Sequence, residues 1–362
     1  MNETYRVVLV GTGGIGDAHV RAVSTLSGRA QLVAACDIDA RRAQEFCTRH
    51  GIPAAYTDYA AMLQAEKPDL VLIAAPPALH ADMSIAAMEA GAWVLCEKPL
   101  CASLAELDRI QAAEQRTGKF TASVFQMRFA SSNTHVRALL NAGKFGRPLL
   151  AICHTLWFRD AAYYAVPWRG KWATEFGGPT TSQGIHTMDH LLHLLGDWAE
   201  VRAVIDNLYH QIEVEDLSMA HVKFASGARA SIVNSTVCPR QETYLRLDCE
   251  RATIELTHLY AYAKENWKLT PADPVADAAL VSAWEAFPPD VGSTHGAQLA
   301  TLVAAMDAGT PPVTGGAVAR GTIEFLTAIY KSAFTGAPVA RGSIRPGDPF
   351  YASLHGGYGK KK

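Results

Sequence analysis

The sequence contains no run of about 18 consecutive apolar residues, so no membrane-spanning helix is expected. It also has no excess of either charge: 33 Lys and Arg stand against 35 Asp and Glu, a formal net charge of -2. A nucleic-acid binder needs a basic face, and none is indicated. The closing run Lys360-Lys361-Lys362 is too short to supply one and reads as a frayed tail. The start, Met1 to Arg6, is polar and has neither the basic end nor the apolar core of a secretion signal. Cysteine is sparse. Cys36, Cys47, Cys96, Cys101, Cys153, Cys238 and Cys249 are odd in number, scattered and without a C-x-x-C pair. That spacing argues against a disulfide framework and a zinc site, and for buried thiols in a reducing, cytoplasmic compartment. Internal repeats and low-complexity segments are absent too. What remains is globular composition, 49% hydrophobic and 19% charged over 362 residues. At about 150 residues per domain, two domains are expected.

The first 125 residues alternate strand and helix signals. Apolar runs at Tyr5 to Val10, Gln31 to Cys36, Leu70 to Ala74, Trp93 to Cys96 and Lys119 to Phe125 are separated by helical patterns. Gly51 and Gly91 stand where helices would end, and Ser103 with Glu106 forms an S-x-x-E capping box. This rhythm predicts a parallel sheet covered on both faces. Beyond residue 125 the pattern changes. Helices are expected at Ser132 to Asn141 and Gly184 to Leu195, and a strand at Pro148 to Trp157. From Glu200 to Trp267 successive strands are expected, with Ala225-Ser226-Gly227 as a hairpin turn. Thr270 to Asp290 reads as an irregular connection before two closing helices, Thr294 to Ala308 and Ala317 to Phe334. The fold class is therefore α/β: an N-terminal doubly wound Rossmann sheet (1–125), then an α+β domain with a large open, mostly antiparallel sheet (126–345) and a tail (346–362).

Gly11-Thr12-Gly13-Gly14-Ile15-Gly16 satisfies G-x-G-x-x-G between a strand and a helix, the context a dinucleotide fingerprint requires. Its glycines permit a tight turn and close approach to a pyrophosphate, and the helix end offers free N–H groups to the anion. Asp37, 21 residues beyond Gly16, can accept hydrogen bonds from the adenosine ribose and repel a 2′-phosphate. NAD is favoured over NADP, with Arg41 and Arg42 keeping the second open. Glu97-Lys98-Pro99 closes a strand at the end where parallel sheets bind ligands. Lys98 there could relay a proton or could be a solvated partner of Glu97. His186 shares a helical face with His190 and His193 and precedes Asp189 by three. It suits a general base, a metal pair with His190 lacking a third ligand, or a satisfied helical histidine. Trp157, Trp168-Arg169-Gly170 and Trp172 crowd one region, either to bind a sugar ring or cover a nicotinamide, or to pack a long loop.

Taken together, Gly11 to Gly16, Asp37, Ala75-Pro76-Pro77 with His80, and Glu97-Lys98-Pro99 resemble the glucose–fructose oxidoreductase / inositol dehydrogenase / rhizopine catabolism (Gfo/Idh/MocA) family. The resemblance continues through Gln126-Met127-Arg128-Phe129, Trp168-Arg169-Gly170, Gly177-Gly178, Gln183 to Asp189, and His295 to Gln298. It implies hydride transfer between a nicotinamide and a carbinol carbon of a sugar, polyol or related cyclic compound. By residue it implies Lys98 and His186 as catalytic groups, with Arg128, Trp168 and Arg169 near cofactor or substrate. Ser182 and Gln183 stand with the substrate-binding positions. Many members carry Asp or Asn four residues before the His, where this chain has Ser182. Ser can hydrogen-bond but holds no charge at neutral pH. No metal is expected. Two further readings stand beside the dehydrogenase: a cofactor-retaining enzyme of elimination or glycoside cleavage, and a non-catalytic NAD- or sugar-binding regulator. An open sheet leaves one face bare, so a homodimer or homotetramer is expected.

Overall fold

The computed structural model describes residues 4–358; Lys360 to Lys362 lie outside them. The chain divides into two compact units, Met1–Val124 with His295–Ile323, and Phe125–Thr294 with Glu324–Lys362.

The first unit is a six-stranded parallel sheet in the order β3-β2-β1-β4-β5-β6. The strands are β1 (Tyr5–Val10), β2 (Ala30–Cys36), β3 (Ala54–Tyr56), β4 (Leu70–Ile73), β5 (Trp93–Cys96) and β6 (Thr121–Ser123). Helices α1 (Gly16–Ser24), α2 (Ala40–His50), α3 (Tyr59–Glu66), α4 (His80–Glu89) and α5 (Leu104–Thr117) connect them. The chain order reverses direction between β1 and β4, the switch point at which doubly wound sheets bind ligands. Strands β4 and β5 are buried at every position, which is why they read as continuous apolar runs rather than alternating ones. Gly51 ends α2 at φ 66°, as its position predicted. The capping box at α5 differs in one arm. Ser103 accepts from Glu106 N at 3.1 Å, but the Glu106 carboxylate reaches Ala102 N rather than Ser103 N.

The second unit carries an eight-stranded sheet in the order β13-β12-β11-β7-β10-β9-β8-β14. After α6 (Ser131–Asn141) come β7 (Pro148–Phe158), the short helices α7 (Ala161–Tyr164) and α8 (Pro179–Ser182), and α9 (Gly184–Leu195). Then follow β8 (Trp198–Asp206), β9 (Leu217–Phe224), β10 (Arg229–Ser235), β11 (Val237–Cys249), β12 (Ala252–Thr257) and β13 (Trp267–Pro271), with β14 (Val339–Ala340) added later. Only β7 and β10 pair in parallel. Alternation decides the buried face. Along β9, Ser218, Ala220, Val222 and Phe224 are buried, while Met219, His221 and Lys223 are exposed. The expected turn at Ala225 to Gly227 joins β9 to β10, with Phe224 N and Ala228 O 2.9 Å apart.

Three expectations change. The second unit is not the contiguous stretch 126–345, because α11 (His295–Ala308) packs in the first unit against α1, with Leu299, Leu302 and Val303 in the core beside Val7 and Leu9. The segment Thr270 to Asp290 is not wholly irregular: α10 (Ala278–Glu285) forms because Leu280 and Trp284, four apart, bury one face. The tail holds α13 (Pro349–Ala352), whose Phe350 is buried; α12 (Gly316–Thr335) precedes it.

Candidate functional site

In the first unit the Gly-rich loop leaves β1 and opens α1. Gly11 sits at φ +92°, and a Cβ there would stand 2.4 Å from Ala74 O, so no other residue fits. Gly13 and Gly14 face open space, with nothing that a Cβ would meet within 4 Å. Ile15 caps α1 and supplies no side-chain acceptor to its first N–H groups. Gly16 N turns back onto Gly13 O at 2.9 Å and Ala18 N onto Ile15 O at 3.0 Å, so the loop is closed by backbone alone; its open glycines and the positive end of the α1 dipole fit the pyrophosphate of a dinucleotide.

Asp37 follows β2. Its carboxylate accepts from Thr12 N at 3.0 Å, Thr12 Oγ1 at 2.9 Å, Asp39 N at 3.1 Å and Arg42 Nε at 3.0 Å. Burial would raise its pKa, but the Arg42 guanidinium and the Thr12 donors hold it at about 2. The carboxylate is therefore fixed and ionised at the point expected to meet the ribose. Arg42 is drawn onto Asp37, and Arg41 lies outward against Glu45.

Beyond β5, Glu97 is buried and its Oε1 lies 3.1 Å from both His19 Nε2 and His295 Nε2. Burial opposes its charge, yet these two imidazoles hold its pKa well below the usual carboxylate range. Burial in turn lowers that of His19. Among the described residues His19, Glu97 and His295 form the group whose atoms could reach one metal ion. The donor set fits poorly. A ligating imidazole normally gives its second N–H to an acceptor. His19 Nδ1 is buried with no hydrogen-bond partner, so the tautomer with Nε2–H donating to Glu97 is the satisfied one. Lys98, half-buried, follows directly, and its N–H lies 3.4 Å from Glu97 Oε2. His80 is fully buried, with Nδ1 2.7 Å from Pro99 O and Nε2 2.8 Å from Ala75 O. It thus ties the Ala75-Pro76 loop to the turn after Lys98.

In the second unit His186 lies in the first turn of α9, buried, with its ring 5.8 Å from that of Tyr260. Arg128 Nε and Nη2 donate to the two oxygens of Asp189, each at 2.7 Å, and Nη1 meets His193 Nδ1 at 2.9 Å. This guanidinium is committed to α9. Burial also lowers the pKa of His190 to about 3 and of His193 to about 2. His190 Nε2 contacts Asn133 Oδ1 at 2.6 Å, and among the described residues neither His186 nor His190 belongs to a group of three side chains that could hold a metal ion.

The approach to α9 is built tightly. A Cβ on Gly178 would fall 1.7 Å from Glu215 O, and one on Gly177 would fall 1.9 Å from the Tyr330 hydroxyl. Ser182 Oγ lies 2.7 Å from Gly178 O and 2.5 Å from Gln183 Oε1, and Gln183 Nε2 donates to the Tyr163 hydroxyl at 2.8 Å. Arg169 is held between the Tyr163 ring at 3.9 Å and the Trp168 ring at 4.2 Å, and pairs with buried Glu175 at 2.9 Å. Trp172 differs from Trp157 and Trp168: it is buried and packs on Tyr330, Phe334 and His355 as a core anchor. Sequence reading missed His19, Tyr163, Glu175 and Tyr260. Only His19 had a local signal, as the residue three beyond the last fingerprint glycine.

Residues 5–125 match the model of the GFO/IDH/MocA oxidoreductase family, NAD-binding Rossmann fold, and residues 133–255 match the GFO/IDH/MocA C-terminal domain. The chain is 34% identical over 149 residues to an inositol 2-dehydrogenase of Salmonella typhimurium, a match spanning 41% of this chain and 44% of that protein. This is under half the length of that relative. A D-apiose dehydrogenase of Paraburkholderia graminis is 26% identical over 98% of this chain and 94% of its own. Among solved structures, the WlbA dehydrogenase from Bordetella pertussis in complex with NADH and UDP-GlcNAcA is similar, with TM-score 0.83 and 26% identity over 94% of this chain and 100% of that one. The chain belongs to the GFO/IDH/MocA family of oxidoreductases, and its first unit is an NAD-binding Rossmann domain.

Proposed function

We propose that the protein is an NAD(H)-dependent dehydrogenase or reductase acting on CH–OH groups of a sugar, polyol or related cyclic compound. The observation that carries this reading is Lys98 at the carboxyl end of β5, anchored through Glu97 beside an uncapped glycine-rich helix end. The names of the relatives, inositol and D-apiose dehydrogenases, support the substrate class.

Gly11, Gly13, Gly14, Ile15 and Gly16 hold the pyrophosphate, Asp37 the ribose, and Ala75, Pro76, Glu97 and Lys98 the nicotinamide half. Arg42 leaves or shares Asp37 when the ribose binds. The nicotinamide, when bound, takes or gives the hydride. His186 removes the hydroxyl proton in oxidation and returns it in reduction. Lys98 donates to the reacting oxygen and stabilises charge there. His80 and Arg128 act as positioning residues, since both are occupied by protein partners. Trp168, Arg169, Ser182 and Gln183 shape the substrate side. With Ser182 in place of an acid, the proton chemistry rests on Lys98 and His186 alone.

The outer face of the eight-stranded sheet exposes Val204, Met219 and Leu150 among Arg202, His221 and Lys223. We infer that a second copy covers it, giving a homodimer or homotetramer; Val204→Asp with Met219→Asp would shift the mass seen by light scattering to that of a single chain. No helix among the described residues is long and apolar enough to cross a membrane; cytoplasmic location is part of this proposal. The test is NAD(H)-linked turnover of a panel of sugars, polyols and keto-sugars by the wild type, Lys98→Ala and His186→Ala.

A further inference from the structure

A row of aromatic rings and guanidinium groups runs through the second unit from His186. Alternation along β7 sets its direction. Ala151, Cys153 and Thr155 are buried on the α9 side, and Thr155 Oγ1 lies 3.0 Å from Thr187 Oγ1 of α9. The same parity carries Trp157 along that row, and Arg159, just past the end of the strand, stacks on it. Tyr260 links it to the catalytic helix: its ring centroid lies 5.8 Å from that of His186 and 6.1 Å from that of Trp157. Trp157 is fixed by its Nε1–H, which donates to Thr243 Oγ1 at 2.9 Å.

Arg159 ends the row. Its guanidinium carbon stands 4.8 Å from the Trp157 ring and 5.1 Å from the Tyr163 ring. Two guanidinium groups, Arg159 and Arg169, thus share Tyr163, but one carboxylate serves them. Glu175 pairs with Arg169 and binds Gly170 N. Of the other nearby acids, Asp160 caps Tyr163 N and Glu242 pairs with Arg240. Among the described residues Arg159 donates to Phe158 O at 2.8 Å and approaches Gln241 Oε1 at 3.5 Å, and makes no ion pair. Stacking on the two rings orients the planar guanidinium, and the donors not used by Phe158 O remain for an oxyanion.

We propose that Arg159 binds an anionic group, carboxylate or phosphate, carried by the sugar or polyol substrate at a position remote from the carbon oxidised. This rests on the dehydrogenase reading above and narrows its substrate class. The aromatic faces take the ring of the sugar, and the uncompensated charge selects its acid substituent.

The test compares kcat/KM with NAD+ for matched pairs: hexuronates against the parent aldoses, and sugar phosphates against the parent sugars. The wild type is expected to favour the anionic member of one pair by about 10- to 100-fold, the range of a charge-assisted hydrogen bond. The pair that shows the preference tells carboxylate from phosphate. In Arg159→Gln the anionic-to-neutral ratio falls toward one, Arg159→Lys keeps part of it, and Arg240→Gln, a neighbouring arginine with its own carboxylate, leaves the ratio as in the wild type. Neutral sugars turned over as well as their acids, with a ratio that Arg159→Gln does not move, would overturn this inference and leave the dehydrogenase reading standing. Absence of turnover with every member of both pairs would overturn this inference, and the dehydrogenase reading would then stand or fall on polyols, keto-sugars and NAD(H) binding.

Discussion

Arg128 grips Asp189 through two parallel hydrogen bonds of 2.7 Å, one turn along α9 from His186, with side chains only 8% and 1% exposed. Removing one partner leaves a buried charge without compensation, at a cost of about 3–5 kcal/mol. Arg128→Met should lower the urea midpoint accordingly, and the double variant Arg128→Met with Asp189→Leu should recover most of the loss. A double variant no more stable than Arg128→Met would show that the pair is not what holds this part of α9.

Asp37 supplies a pH-dependent share of stability. Its pKa is about 2 in the folded protein against an ordinary 3.8, burial being outweighed by Arg42 and Thr12. A depressed carboxyl contributes stability that is complete above its unfolded value and disappears as pH falls through the folded one. The wild type should exceed Asp37→Asn by about 2 kcal/mol at pH 7. Urea titrations should show that margin intact down to about pH 4 and gone near pH 2. A margin independent of pH would contradict the assignment.

The cluster of His19, Glu97 and His295 is expected to hold protons rather than metal, because His19 Nδ1 has no acceptor. Chelation by EDTA should therefore leave the melting temperature unchanged, and micromolar zinc should not raise it. Glu97→Leu should be destabilised by about 1–3 kcal/mol for each imidazole donor left buried without an acceptor. A zinc-dependent rise that vanishes in His19→Ala would reverse this view.

Gly178 and Gly321 make a matched pair. A methyl group at Gly178 collides with Glu215 O, whereas Gly321, inside α12, faces open space. Gly178→Ala should destabilise by more than about 1–3 kcal/mol, since the obstacle is backbone. Gly321→Ala should stabilise by about 0.5–1 kcal/mol through helix propensity. Equal effects in denaturant melts would contradict the close packing before α8.

Much of the first unit could be read from the chain because its signals are local. Gly11 to Gly16, the apolar runs of β1, β4 and β5, and Gly51 each declare their element within a few residues. Short β3 and α3 were not anticipated: Ala54–Tyr56 is only half-buried, and Tyr59–Glu66 has almost no apolar stripe. Long-range partners were the real gap. Lys98 and His186 were visible as types in motifs, but nothing near Glu97 announces His295, 198 positions away. The same holds for Arg128, whose motif suggested ligand contact while its guanidinium closes on Asp189, 61 positions later. Trp172 and Trp168 look alike in sequence, and only packing separates the core anchor from the ring stacked on Arg169.

The most direct test of the account is NAD(H)-linked turnover by the purified protein on a panel of sugars, polyols and keto-sugars, alongside Lys98→Ala and His186→Ala. Absorbance change at the nicotinamide is expected with at least one substrate, and a fall of about 10²–10⁴-fold in kcat for each variant. Nicotinamide binding should persist in His186→Ala. Turnover that survives both substitutions, or a wild-type protein that binds neither NAD+ nor NADH, would contradict it.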